Sequence, residues 1–269
     1  MEYTAQGRRT SSLIRFWTAI VILFIYMPVI CDALSSLSKG RYFMFPIKKW
    51  SMDWWTKTAG SIEIGSLVSN SLLIAFVVTI LSTVIAFCGA LAFARYSWTG
   101  KKMFQKIILL PVFFPQPVLG LALLLWFNAI GISLSWQTAV FAHLVWITPV
   151  VTLVIAIQVY GFDPTLEEAA KDLGATPYQT FTRVTLPLLW PGIWSGMLFA
   201  FLLSWGNFPL SLYTTGVDNT VPKWLYSKMV AGYTPMVPTL GTMSTIGAAG
   251  LMALGILTVW LMHRRQGRA

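Results

Sequence analysis

Three features of the 269-residue sequence predict an all-α membrane protein with six transmembrane helices. Apolar residues make up 56% of the chain and charged residues 10%, where a soluble domain carries about 25% charged residues. Mean hydropathy is +0.69. The apolar residues also fall in long runs free of Asp, Glu, Lys and Arg, the longest being the 56 residues from Ile107 to Phe162. One crossing of a hydrocarbon core about 30 Å thick takes roughly 20 apolar residues at about 1.5 Å each. The composition excludes a water-soluble globule, and it excludes disorder, which combines low hydrophobicity with high charge. A single transmembrane domain over 1–269 is expected, with spans near 13–34, 71–94, 107–127, 138–160, 191–216 and 237–262.

The first span follows Arg8, Arg9 and Arg15. A secretory leader has a similar start, but Asp32-Ala33-Leu34-Ser35 offers no small-x-small cleavage site, so a retained helix is expected. The second span lies in the uncharged stretch between Glu63 and Arg95. The 56-residue run is too long for one helix and divides at Asn128-Ala129-Ile130-Gly131, whose residues suit a turn, into spans three and four. The fifth span starts at Pro191, and the sixth is closed by Arg264, Arg265 and Arg268.

Basic residues set the orientation. Arg95, Lys101, Lys102 and Lys106 lie between spans two and three, and no Lys or Arg lies between spans three and four. The positive-inside rule then puts the first of these loops, and both termini, in the cytoplasm. Ala33 to Ser66 faces outward despite five basic residues, and its Trp50, Trp54 and Trp55 suggest an amphipathic stretch at the outer interface. The excess of 19 basic over 9 acidic residues reads as a topology signal, and no nucleic-acid partner is expected. Cys31 and Cys88 fall inside apolar runs and read as small bundle side chains.

Residues 161–190 form a polar island holding Asp163, Glu167, Glu168 and Asp172. Thr165 with Glu168 has the form of a capping box, Leu166 to Leu173 makes two helical turns, and Gly174 suits a left-handed stop. Thr176, Pro177 and Gln179 open a second helix, expected to end by Leu186-Pro187 because proline breaks what precedes it. Connectors in bundles need about two to eight residues. Two capped helices around a glycine therefore point to a docking element.

Glu168-Ala169-Ala170, three residues, Gly174, nine residues, then Val184-Thr185-Leu186-Pro187 resembles the EAA loop of ABC importer permeases, EAA-x3-G-x9-I-x-LP. Val184 in place of Ile is the one departure. The run from Leu166 to Gly192 further resembles the spermidine/putrescine-type subfamily, in particular the second of its two paired membrane subunits. The resemblance implies the type I permease fold and a multi-pass location in the bacterial inner membrane. It also implies partners: two ATPase subunits, a second homologous permease and an extracytoplasmic solute-binding protein. Glu168, Ala169, Ala170, Gly174, Val184, Leu186 and Pro187 would couple the permease to the ATPase. The chain has no G-x-x-x-x-G-K-[ST] loop, so it is expected not to be an enzyme and to bind no cofactor, with ATP and Mg on the partner ATPase.

Gly192, Gly196, Ala200 and Ser204 recur every fourth residue in span five, a small-residue stripe for close packing within the subunit or against a partner permease. Ser204-Trp205-Gly206-Asn207-Phe208-Pro209 interrupts the run. Broken helices at membrane depth are tolerated where they line a cavity, and Pro209 and Gly206 should leave backbone groups unpaired there. Trp205, Asn207, Phe208 and Tyr213 are accordingly the candidate solute-path residues, able to hold a cation on aromatic faces. Polyamine-type relatives often carry acids at the positions of Gly206 and Asn207, and this sequence has none there. His143, in span four, reads as a histidine bonded inside the bundle, His263 reads as solvated, and no metal-ligand spacing is present. The expected solute is a small amine-bearing molecule, such as a polyamine, an opine or an amino-acid-like compound. Importers of thiamine, ferric ion or phosphonate remain open, as do a non-transporting scaffold, which would not need the broken span, and an intramembrane enzyme, which would need paired acids or a Ser/His pair.

Overall fold

The computed structural model describes residues 5–42 and 46–266. Arg268 lies outside them, and the side chains of His263, Arg264 and Arg265 are likewise outside the described part. In chain order the helices are α1 (Ala5–Ser36), α2 (Asp53–Ala59), α3 (Ile62–Ala90), α4 (Lys101–Ile107), α5 (Leu110–Phe113), α6 (Gln116–Ala129) and α7 (Trp136–Tyr160). They continue as α8 (Thr165–Asp172), α9 (Pro177–Thr180), α10 (Leu186–Trp205), α11 (Phe208–Thr214), α12 (Val221–Ala231) and α13 (Met236–Gln266). Two π turns extend this set, Leu91–Arg95 at the end of α3 and Phe181–Thr185 between α9 and α10.

Five continuous segments are long and apolar enough to cross a membrane: Ser12–Ser36, Ile62–Arg95, Trp136–Tyr160, Pro177–Trp205 and Met236–Thr258. The sixth is a bent pair, Lys101–Phe113 with Gln116–Ala129, at 98°. The expected single span near 107–127 is therefore corrected to a bent pair that starts at Lys101. Phe114, preceding a proline, is extended at φ −77° and ψ 135°, and Pro115 is extended as well. A residue before proline is pushed out of the helical region, and proline itself is favoured only in a helix's first turn. Pro111 and Pro117 each sit in such a first turn.

The second correction concerns Pro187. The helix that opens at Pro177 does not stop there but runs to Trp205. Proline cannot donate to the carbonyl four residues back, and its ring crowds that carbonyl. The π turn at Phe181–Thr185 widens the helix over this stretch, and Pro187 falls in the first turn of α10. The expected second helix of the polar island is thus the foot of span five, which starts well before Pro191.

The chain forms two compact units: residues up to Ile62 with Ser227–Gly247, and Glu63–Tyr226 with the residues from Ala248. In the first, the Trp55 indole N–H donates to Ser36 Oγ at 3.2 Å, and an isolated antiparallel bridge joins Ser38 and Trp50. Asp32, an acid inside the first span, accepts from the Thr242 hydroxyl at 3.4 Å and lies 2.9 Å from where a Cβ on Gly241 would be. The large apolar side chains of α1 from Leu13 to Ile30 are exposed, as suits a helix facing lipid or protein partners.

In the second unit α3, α7 and α10 enclose the apolar core, built on Ile74, Val78, Ile147, Val151, Ile155, Leu189 and Ala200. The small-residue stripe packs within this subunit, against α7. A Cβ on Gly192 would fall 2.5 Å from Gln158 Cβ, and one on Gly196 2.8 Å from Ile155 Cγ1. With no hydrophobic drive between helices in lipid, this close approach supplies the attraction.

Candidate functional site

α8 starts differently from the capping box expected of Thr165 and Glu168. Asp163 Oδ1 accepts from the Thr165 N–H at 3.0 Å, while Thr165 itself is the first helical residue. The Thr165 backbone N–H, with its hydroxyl, holds the Asp163 carboxyl below the usual carboxylate range. The helix ends in a Schellman turn: Ala175 N–H donates to Ala170 C=O at 3.0 Å, and Gly174 N–H to Lys171 C=O at 2.8 Å. Gly174 has φ +84°, which a Cβ would strain. Thr176 and Gln179 form the expected capping box, with Thr176 N–H donating to Gln179 Oε1 at 2.8 Å and Gln179 N–H to Thr176 Oγ1 at 3.3 Å.

The motif residues divide by facing. Glu168, Ala169, Gly174 and Pro187 are exposed, whereas Ala170, Val184 and Leu186 are partly buried, Leu186 against the core. Beside the exposed group, Leu173 is 90% and Tyr178 77% exposed. Apolar side chains so open on a short capped element form a surface suited to a partner.

Neighbouring Glu167 points the other way, about 100° round the helix. It pairs with Arg95, and the Thr185 hydroxyl donates to its second oxygen. The Arg95 guanidinium also lies 4.9 Å from the centroid of the Phe162 ring. Sequence reasoning missed Glu167 and Arg95 as partners. The available signal was helical spacing, because Glu167 shares a face with the partly buried Ala170 and Glu168 does not.

The break in span five is present, with α10 ending at Trp205 and α11 starting at Phe208. The expected unpaired amides are not. Gly206 N–H donates to Leu202 C=O at 3.1 Å and Asn207 N–H to Ser204 C=O at 3.2 Å. Asn207 is 4% exposed, and its Oδ1 accepts from Leu210 N–H at 3.1 Å as the cap of α11. His143, 1% exposed, bonds Ser204 Oγ at 2.9 Å and Ser211 Oγ at 3.1 Å, tying both sides of the break to α7. Trp205 stacks on Phe201 at 6.2 Å, Phe208 meets Tyr226 at 4.5 Å, and Tyr213 packs where Gly120 leaves room. Among these candidates Asn207 is buried, and the three aromatics are partly exposed.

Comparison with known proteins places this architecture. Spermidine/putrescine transport system permease protein PotC of Haemophilus influenzae is 30% identical over 88% of this chain and 93% of its own length. Putrescine transport system permease protein PotI of Escherichia coli K12 is 29% identical over 93% of this chain and 92% of its own. A chain of a bacterial alginate ABC transporter, solved with an alginate pentasaccharide-bound periplasmic protein, superposes with a TM-score of 0.67 at 17% identity, covering 96% of each chain. A chain of the inward-facing MetNI methionine ABC transporter gives a TM-score of 0.61 at 18% identity, covering 75% of this chain and 99% of that one. The family model for the binding-protein-dependent transport system inner membrane component matches residues 82–266, and the chain belongs to that family as the permease subunit of an ABC importer.

Proposed function

We propose that this permease carries a small amine-bearing solute, of the polyamine class, into the cytoplasm. It would act with a second homologous permease, two ATPase subunits that hold ATP and Mg, and a solute-binding protein on the outer side. The observation that carries the coupling part is the turn from α8 into the capped α9, with the open side chains of Glu168, Leu173 and Tyr178. Such a face fits an apolar groove with a basic rim, where Glu168 makes a charge-assisted pair. Leu186 and Val184 anchor the foot of α10, and Ala169 allows close approach of a partner.

Orientation follows from the same element. The Arg95–Glu167 pair puts α8 at the end of the bundle that carries Lys101, Lys102, Lys106 and Arg183. Basic loops favour the cytoplasmic side, and in a six-span chain both termini would then lie there too.

The solute class rests on the two polyamine relatives named above and on the aromatic side chains at the span-five break. Trp205, Phe208 and Tyr213 can attract a cation with about 0.5 to 2 kcal/mol per contact. That is weak enough for passage, and most discrimination then falls to the binding protein. The test is uptake of labelled putrescine by the assembled complex in liposomes, with unlabelled competitors. Competition by spermidine but not by thiamine or phosphonate is expected. Absence of putrescine uptake by a complex that hydrolyses ATP refutes the solute class.

A further inference from the structure

Glu167, Arg95 and Thr185 join three separate elements at one carboxylate. Arg95 is the last residue of the π turn that ends α3, and Thr185 is the last residue of the π turn that leads into α10. These are the two π turns among the described residues, and an ion pair, Arg95–Glu167, ties the first of them to α8. π turns interrupt the regular helix register and occur often where a helix has a functional task. Here both end on the side chain of α8 that faces inward.

The join is polar and bridges a gap. A cleft of 180 Å³ lies between α8 and the ends of the two spans, lined by Leu91, Arg95, Tyr96, Glu167, Lys171 and Thr180, among others. Packed apolar side chains do not fill it, and the charged pair crosses it from α8 to the end of α3. The side chains of Arg95 and Glu167 are 19% and 15% exposed, and Thr185 is buried. Charges at that depth are screened far less than surface pairs, and removing one leaves the other uncompensated. The Phe162 ring lies against the guanidinium, 4.9 Å from centroid to Cζ, and adds a cation–π contact to the join.

We propose that Glu167, Arg95 and Thr185 are positioning residues that lock α8 to spans two and five, so that displacement of α8 by the ATPase moves both spans together. The proposal rests on the reading of α8 as the ATPase-docking element. It assigns different tasks to adjacent acids, with Glu168 facing the ATPase and Glu167 transmitting the movement.

The test uses the assembled complex in lipid, with Cys31 replaced and nitroxide labels at Asp172 on α8 and at the native Cys88 on span two, both exposed and outside the join. Pulsed electron resonance should give one narrow distance, equal in nucleotide-free and vanadate-trapped states. Glu167→Gln should broaden it, and putrescine taken up per ATP hydrolysed should fall at least tenfold with the ATPase still co-purifying. The pair Arg95→Glu with Glu167→Arg should restore the narrow distance, which separates a lost charge pair from a misfolded variant. An unchanged distribution in Glu167→Gln overturns the proposal. So does loss of the ATPase from that variant, which would put Glu167 on the docking face, or failure of the exchanged pair to recover. Failure of the docking reading shows separately: Glu168→Lys would leave the ATPase bound, while the nucleotide-free distance would still report on the join.

Discussion

Adding one methyl group at Gly196 tests the contact between α7 and α10 that holds the span-five break in place. The new Cβ would lie 2.8 Å from Ile155 Cγ1, 3.0 Å from Ile155 Cδ1 and 3.2 Å from Val151 Cγ1. Carbon atoms rest about 3.5–4.0 Å apart, so the helices must part by roughly 0.7–1.2 Å at that level or Ile155 must leave its rotamer. Overpacking of this kind costs about 1–3 kcal/mol, or about 5- to 150-fold in the folded population at about 1.4 kcal/mol per decade. Parting also draws Ser204 away from His143, a bond of 2.9 Å. Ile155→Ala removes the clashing atoms while keeping its own Cβ, so the double variant should recover at least about 1 kcal/mol relative to the sum of the singles, within the range of coupled neighbours. Reversible unfolding of the purified subunit in bicelles, followed by steric trapping, measures all four corners. A neutral Gly196→Ala that adds simply to Ile155→Ala would refute the close approach.

Single cysteines at Ser133 and Lys101, in a background without Cys31 and Cys88, test the topology with an impermeant thiol reagent in whole cells. Labelling at 133 and protection at 101 are expected, and the reverse pattern inverts the assignment. Asn207→Leu removes the cap of α11 and should cost about 1–2 kcal/mol of stability, and Trp205→Ala gives up the stack on Phe201, a further loss of at least about 0.5–1.5 kcal/mol. If both lower putrescine uptake while the complex still hydrolyses ATP, the break lines the path. Normal transport in both would make it a structural kink.

The composition and charge gaps made most of the membrane architecture legible, because the bilayer imposes length and apolarity on each span. The reading went astray where proline met a helix. At Phe114-Pro115 the chain bends by 98°, and at Pro187 it passes through undisturbed because a π turn precedes it. One residue type gives opposite outcomes according to whether the preceding backbone can widen, and hydropathy does not encode that. In the polar island, Gly174 and the Thr176–Gln179 cap were readable because both are local. The pairing of Glu167 with Arg95 spans 72 residues of sequence, so helical spacing turns Glu167 inward but does not name its partner. At the span-five break, Asn207 read as a polar group left for a solute, yet the nearest use for its oxygen is the amide three residues on.

ATP hydrolysis on a separate subunit is proposed to drive this permease through the face of α8. The most direct measurement is ATPase retention and putrescine uptake in the purified complex carrying Glu168→Lys or Gly174→Val. The first reverses charge on the open face, and the second strains a residue at φ +84°, at about 1–2 kcal/mol. Both should insert in the membrane at normal levels, release the ATPase subunits and lose uptake. A complex with either change that keeps its ATPase and transports at the parental rate contradicts the account.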